Sequence, residues 1–133
     1  AELEASPWRD RVILPGFVPD EDLPAIYAGA ALTACPSLYE GFGLPVLEAM
    51  ACGSPVCASD ASSLPEVGGD AAAYFAPEDV EAMSACLRAV LEDDSLRAQM
   101  AQAGLARAAQ FSWTRAARET ADVYDVVIAE HGR

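Results

Sequence analysis

The sequence predicts an α/β fold: a parallel sheet of about four strands with helices on both faces and further helices at the C-terminal end. Three observations lead there. Short apolar runs of strand length, Arg11–Pro15, Ala31–Cys35, Val56–Ser59 and Ala71–Phe75, are bounded by Pro, Gly and Ser. Between them lie segments whose apolar residues recur at helical spacing. After Phe75 the helical spacing continues without another strand-like run. Such alternation implies a parallel sheet, because each parallel strand must be reached by a crossover. With 133 residues, 53% of them hydrophobic, and a mean hydropathy of +0.16, the chain can build one real core and is too apolar for disorder.

Residues 1–10 read as an irregular lead-in. The chain opens on Ala rather than Met, as expected of an excised piece, and no signal peptide is expected from its opening residues. Val12–Leu14 is expected as the first buried strand, closed by Pro15-Gly16. An acidic stretch follows, in which Asp22 is the better N-cap because Pro24 then falls where no helical N–H is needed. Leu23, Ile26, Tyr27 and Ala30 share one face of that helix. Leu32–Cys35 is the second strand, ended by Pro36-Ser37. Val56–Ser59 and Ala71–Phe75 are the third and fourth, separated by Ser63-Leu64-Pro65-Glu66, a capping box opening one short helical turn. Val80, Met83, Leu87 and Val90 mark one C-terminal helix, and Leu96, Met100 and Ala103 a second, with Gly104 permitting close packing. Ser112 is the N-cap of the last helix, whose Ala117, Ala121, Tyr124 and Ile128 form a stripe suited to burial. Met83, Met100, Trp113 and Tyr124 are assigned to the core.

The stretch Tyr39-Glu40-Gly41-Phe42-Gly43-Leu44-Pro45-Val46-Leu47-Glu48 organises the rest. Gly41 and Gly43 let a ligand approach the backbone and permit positive φ. Pro45 suits a first helical turn, and the helix it opens runs to a stop near Gly53. The amides of Phe42, Gly43 and Leu44 then point out of a helix N-terminus, which favours a phosphate or a sugar hydroxyl. Glu40, just outside the helix, and Glu48, about one turn inside, can accept hydroxyl hydrogens. The pattern suits a ligand that is part anion and part polyol. Taken alone, the loop is equally a glycine turn with two solvated glutamates. Its place at the carboxyl end of a strand is where open α/β sheets bind ligands.

Composition excludes several alternatives. The net charge is −13 and all eight basic residues are arginine, so a nucleic-acid surface is excluded. An anionic ligand must be held by local amides or by basic groups from elsewhere. Cys35, Cys52, Cys57 and Cys86 have no CxxC spacing, and the single histidine is His131, so no zinc or other metal site and no cofactor is expected. All four cysteines sit in apolar contexts and are read as reduced residues of a cytoplasmic protein, with a disulfide as the competing reading. The longest apolar run, around Ala28–Cys35, is too short to span a bilayer, and no membrane association is visible. An NAD site is excluded because no GxGxxG follows a strand.

The ordered set VILPGFVPDEDLPAIYAGA, ACPSLYEGFGLPVLEAMACGSPV, SSLPEVGGDAA, APED and FSW resembles the C-terminal domain of retaining, nucleotide-sugar-dependent glycosyltransferases of the two-domain GT-B type, the group called glycosyltransferase family 4 or group 1. The resemblance runs from about Arg11 to Val127. Its most specific part is the pair Glu40 and Glu48 with seven residues between them, preceded by Pro36-Ser37. It implies that residues 1–133 are a partial, Rossmann-like donor-binding domain and an incomplete C-terminal half of a GT-B fold. It implies a donor that is a UDP-, GDP- or ADP-linked sugar, a hexose of mannosyl or glucosyl type, and no metal in the site. Glu40 then matches the catalytic glutamate beside the donor sugar. Gly41, Phe42, Gly43 and Leu44 match the loop on the sugar and diphosphate, and Glu48 matches the carboxylate on the ribose hydroxyls. Phe17 and Val18 match the stretch flanking the nucleobase.

The departure from the family pattern is equally specific. Two strand–helix units that carry a diphosphate-binding arginine and lysine have no counterpart here, nor does an N-terminal domain that would bind an acceptor glycan or lipid. The resemblance therefore implies a chain inactive by itself. In the family, Val12–Leu14 matches a strand whose neighbour is not in this sequence. A direct link through the helix at Leu23–Ala30 then predicts that Val12–Leu14 collapses onto Leu32–Cys35, about 5 Å away. Competing functional readings are a stand-alone nucleotide-sugar or interaction module without catalysis, and a sugar-nucleotide epimerase. The epimerase would need catalytic histidines that the sequence does not show.

Overall fold

A computed structural model describes residues 2–131. Three parallel strands, β1 (Thr33–Cys35), β2 (Val56–Ser59) and β3 (Ala72–Phe75), form one sheet in the order β1-β2-β3. Thr33 pairs with Val56, and Val56 in turn with Ala72. The helices are α1 (Glu2–Ala5), α2 (Leu23–Gly29), α3 (Leu44–Ala51), α4 (Leu64–Gly68), α5 (Val80–Glu92), α6 (Asp94–Ala108) and α7 (Trp113–His131).

Every residue of β2 is buried, which explains its continuous Val-Cys-Ala-Ser run in place of an alternating pattern. Its side chains alternate between two cores. Val56 and Ala58 face Val46, Met50, Leu64 and Val67 of α3 and α4. Cys57 faces the other way, onto Phe75, Val90 and Met100, with Met83 and Leu87 alongside. Helices therefore cover both faces, as the sequence predicts. A Cβ at Gly104 would lie 3.2 Å from Met50 Cγ, so the missing side chain is what lets α6 approach α3. The C-terminal helices carry side-chain caps, Ser112 as expected and Asp79 and Asp93 besides. Asp79 accepts from the Ala82 amide at 2.8 Å, Asp93 from Leu96 at 2.9 Å and Ser112 from Arg115 at 3.1 Å.

Two expectations are corrected. The sheet has three strands rather than four, because Val12–Leu14 is neither a strand nor paired with the Leu32–Cys35 segment. Ile13 is 84% exposed and Leu14 69%. Apolar β-propensity does not by itself make a strand: the segment joins no ladder, although the outer edge of β1 is unpaired among the described residues. In α7 the Ala117, Ala121, Tyr124 and Ile128 stripe exists but is not buried; no residue of the helix is. Trp113 and Tyr124 are likewise exposed rather than core, as is Ile26 on α2, whereas Met100 is buried as expected. Periodicity identifies the apolar face of a helix, and burial needs a partner surface as well.

All four cysteines are free, with Cys35 and Cys57 buried. Burial first, then the neighbouring Cys86 thiol, pushes the Cys57 thiol from 9.0 up to about 12. A raised native pKa means that the fold holds the neutral thiol. This contribution is full below the unfolded value and is lost as pH rises from about 9 toward 12. Denaturant titrations between pH 9 and 11 should therefore show wild type losing stability more steeply than Cys57→Ala; parallel curves would contradict this.

Candidate functional site

β1 ends at Cys35, and the chain turns through Pro36–Phe42 into α3. The turn is held by serines from three places. Ser37 Oγ donates to Glu40 Oε1 at 2.8 Å. Ser59, buried at the carboxyl end of β2, donates to the Ser37 carbonyl at 2.5 Å. Ser62 and Ser63, just before α4, both donate to the Glu40 carbonyl, at 2.6 and 3.0 Å. The Glu40 carboxylate is thus oriented through Ser37, and its peptide is oriented through the α4 turn. Ser62 has a φ of 56°, a left-handed conformation uncommon for a residue with a Cβ.

The expected capping box is corrected by these contacts. The Ser63 side chain makes no capping bond to α4; its hydroxyl is committed to Glu40 instead. Pro65 at the second helical position has no N–H to bond.

Gly43 is the N-cap of α3, with φ 99°. A Cβ there would meet Leu64 Cδ2 at 2.7 Å, so both the backbone and the packing require glycine. Gly41 is exposed and nothing lies near its Cβ direction. The Gly43 carbonyl accepts from Val46 and Leu47, opening the helix. Among the described residues, the amides of Phe42, Gly43 and Leu44 donate to no acceptor in the chain. They lie at the positive end of the α3 dipole. Glu48, one turn into α3, is exposed and accepts from Tyr27 Oη at 3.3 Å. Burial first, then the Glu48 charge, raises the Tyr27 pKa, so the phenol remains a donor at neutral pH. Burial and then the Glu40 charge likewise raise the Cys35 thiol. The phenyl ring of Phe42 meets Phe111 edge-on at 6.0 Å. Beside them opens a groove of about 1010 Å³, lined by Phe42, Leu44, Glu48, Arg107, Phe111 and Trp113.

The loop residues Glu40–Leu44 and Glu48 are therefore brought together at one end of the sheet. Phe17 and Val18 are not joined to them by any hydrogen bond; Phe17 is 89% exposed, in a segment outside every helix and strand. Sequence reasoning missed Tyr27, Ser37, Ser59, Ser62, Ser63 and Arg107 as parts of the site. Ser37 carried a signal in the Pro-Ser prefix, and Ser62 and Ser63 in the SSLPEVGGDAA stretch. No group of His, Cys, Asp or Glu suited to a metal occurs among the described residues, and no helix there is long and apolar enough to cross a membrane.

A family profile described as "Glycosyl transferases group 1" matches residues 2–107. The chain belongs to the group 1 glycosyltransferases. It is 52% identical over 112 residues to the O-antigen chain mannosyltransferase B of Escherichia coli, covering 84% of this chain and 29% of that protein. To the MMP alpha-(1->4)-mannosyltransferase of Mycolicibacterium hassiacum it is 42% identical over 114 residues, covering 83% of this chain and 28% of that protein. The solved sucrose-phosphate synthase of Thermosynechococcus elongatus superposes with a TM-score of 0.80 at 31% identity, over 91% of this chain and 31% of that one. The chain thus spans under a third of the length of these relatives. Its architecture is that of part of a GT-B, Rossmann-like C-terminal domain.

The Gly43 geometry predicts that Gly43→Ala lowers stability by at least about 1–2 kcal/mol, from the positive φ alone. The urea midpoint measures it, and an unchanged midpoint would contradict the strained geometry.

Proposed function

We propose that residues 1–133 form part of the donor-binding domain of a retaining glycosyltransferase that moves a hexose, of mannosyl or glucosyl type, from a nucleoside-diphosphate sugar to a glycan or lipid acceptor. The observation that carries this reading is the conjunction of a fixed carboxylate, Glu40, with three unpartnered amides and a second carboxylate, Glu48, at one helix N-terminus. Hydroxyl-rich and anionic parts of one ligand find complementary groups there within a few residues. The names of the mannosyltransferase relatives support the hexose class.

In this proposal Glu48 accepts hydrogen bonds from the ribose hydroxyls, with Tyr27 fixing the carboxylate from behind. The amides of Gly41–Leu44 receive the sugar and the near phosphate. Glu40 lies beside the anomeric centre. As the glycosidic bond to the diphosphate breaks, positive charge develops on that carbon, and a preoriented carboxylate stabilises it without reorganising. Phe17 and Val18 flank the nucleobase. With a net charge of −13 and no lysine, the chain leaves the diphosphate to amide dipoles and to basic groups of the full-length protein. Free thiols at all four cysteines fit a cytoplasmic setting.

In the full-length protein, Glu48→Ala should weaken nucleotide-sugar binding by about 1.5–3 kcal/mol, the worth of hydrogen bonds to a charged group. Glu40→Ala should lower turnover more than it lowers affinity for the nucleoside diphosphate alone. Calorimetry with UDP- and GDP-hexoses and steady-state rates measure both. Equal donor affinity in wild type and Glu48→Ala would remove the ribose assignment, and binding without transfer in wild type would favour a non-catalytic module.

A further inference from the structure

Arg107, near the C-terminal end of α6, is distant in sequence from the loop yet contacts both structures that hold it. Its Nε donates to the Val67 carbonyl at 2.9 Å and its second terminal nitrogen to the Glu66 carbonyl at 2.5 Å. These carbonyls lie in the last turn of α4. The remaining nitrogen donates to Gln110 Oε1 at 2.9 Å, which fixes the plane of the guanidinium. That plane lies over the Phe111 ring, 5.0 Å from its centroid. Phe111 in turn meets Phe42 of the loop.

The contacts matter because α4 has five residues, too few for a helix to persist unaided. What grips it decides where its ends lie. Leu64 and Val67 anchor it to the core, and Tyr74 Oη holds the following turn at the Gly69 carbonyl, 2.9 Å away. Arg107 holds its C-terminal carbonyls. The opposite end of α4 presents Ser62 and Ser63 to Glu40. A shift of α4 along its axis moves both hydroxyls away from the Glu40 carbonyl and frees its peptide to rotate. A shift of Phe111 releases Phe42, two residues further on.

We propose that Arg107 is a positioning residue for the donor loop, fixing Glu40 through α4 and Ser62–Ser63, and Phe42 through Phe111. Arginine is required because one planar group must serve two carbonyls and an aromatic face together; an ammonium on a flexible stem serves one at a time. The inference rests on the reading of Glu40 as a donor-site carboxylate.

The test uses the full-length protein with wild type, Arg107→Met, Ser62→Ala/Ser63→Ala and, as reference, Glu40→Ala. Turnover is compared with the calorimetric affinity for the nucleoside diphosphate, whose stoichiometry also reports the folded fraction. Arg107→Met should lower kcat per folded site by about five- to twentyfold, less than the roughly 10²–10³-fold cost of removing a preorganised electrostatic group itself, while nucleoside-diphosphate affinity changes less than about twofold. The double serine variant should reproduce the loss, and adding Arg107→Met to it should cost less than the product of the two separate effects. If Arg107→Met does not fold, Arg107→Lys carries the same test, with a smaller loss of kcat expected. A lowered melting temperature with unchanged kcat per folded site would make Arg107 merely structural and overturn the proposal. So would fully multiplicative effects. Unchanged kcat in Glu40→Ala would instead overturn the donor-site reading, and this inference with it.

Discussion

The carbonyl oxygen of Glu40 is the fixed point of the site. Two hydroxyls from a neighbouring loop converge on it, and a third serine holds the side chain of the same residue. A turn with two glycines would otherwise sample many conformations, at an entropic cost when a ligand selects one. The serine bonds meet that cost during folding. One consequence is local strain: Ser62 is held at positive φ, on the order of 1 kcal/mol for a residue with a Cβ. Such strain persists where the surroundings over-determine it, and here the core beneath α4 does so.

That core explains why the site sits where it does. β2 is buried on both faces and is the central strand of the sheet. Its carboxyl end supplies Ser59, which ties the loop after β1 to the sheet through the Ser37 carbonyl. α3 rises from the loop with Val46, Ala49 and Met50 packed on that sheet, so the direction of its dipole is set by the same contacts. Glu48 is presented on the exposed side of α3, where Tyr27 of α2 donates to it. Carboxylates, amides and the groove beside them are thus referenced to one rigid strand. A site that must meet a ligand with sub-ångström tolerance needs such a reference.

Much of this was legible from the residues. The Glu40–Glu48 stretch declared its glycines, its helix start and its position after a strand, and the helical spacing located α5, α6 and α7. The rest was not legible, for physical reasons. Val12–Leu14 has the composition of a strand, but strand formation depends on a neighbour rather than on the segment itself. The apolar residues of α7 mark a face without saying what covers it; Val123, Tyr124 and Ile128 stay exposed among the described residues. Ser63 fits a capping box locally, and a tertiary acceptor, the Glu40 carbonyl, takes its hydroxyl instead. Arg107 carries no local signal of its hold on α4, since the two carbonyls it grips there lie forty or so residues earlier in the chain.

The central claim is that the α3 N-terminus and its two glutamates form the donor site of a group 1 glycosyltransferase. A crystal structure of the full-length protein with a nucleoside-diphosphate hexose tests it most directly. The ribose hydroxyls should then lie within hydrogen-bond distance of the Glu48 carboxylate, about 2.6–3.2 Å, with the hexose beside Glu40 and phosphate oxygens on the Gly41–Leu44 amides. A donor bound with its ribose away from Glu48 and no contact to that loop would contradict it.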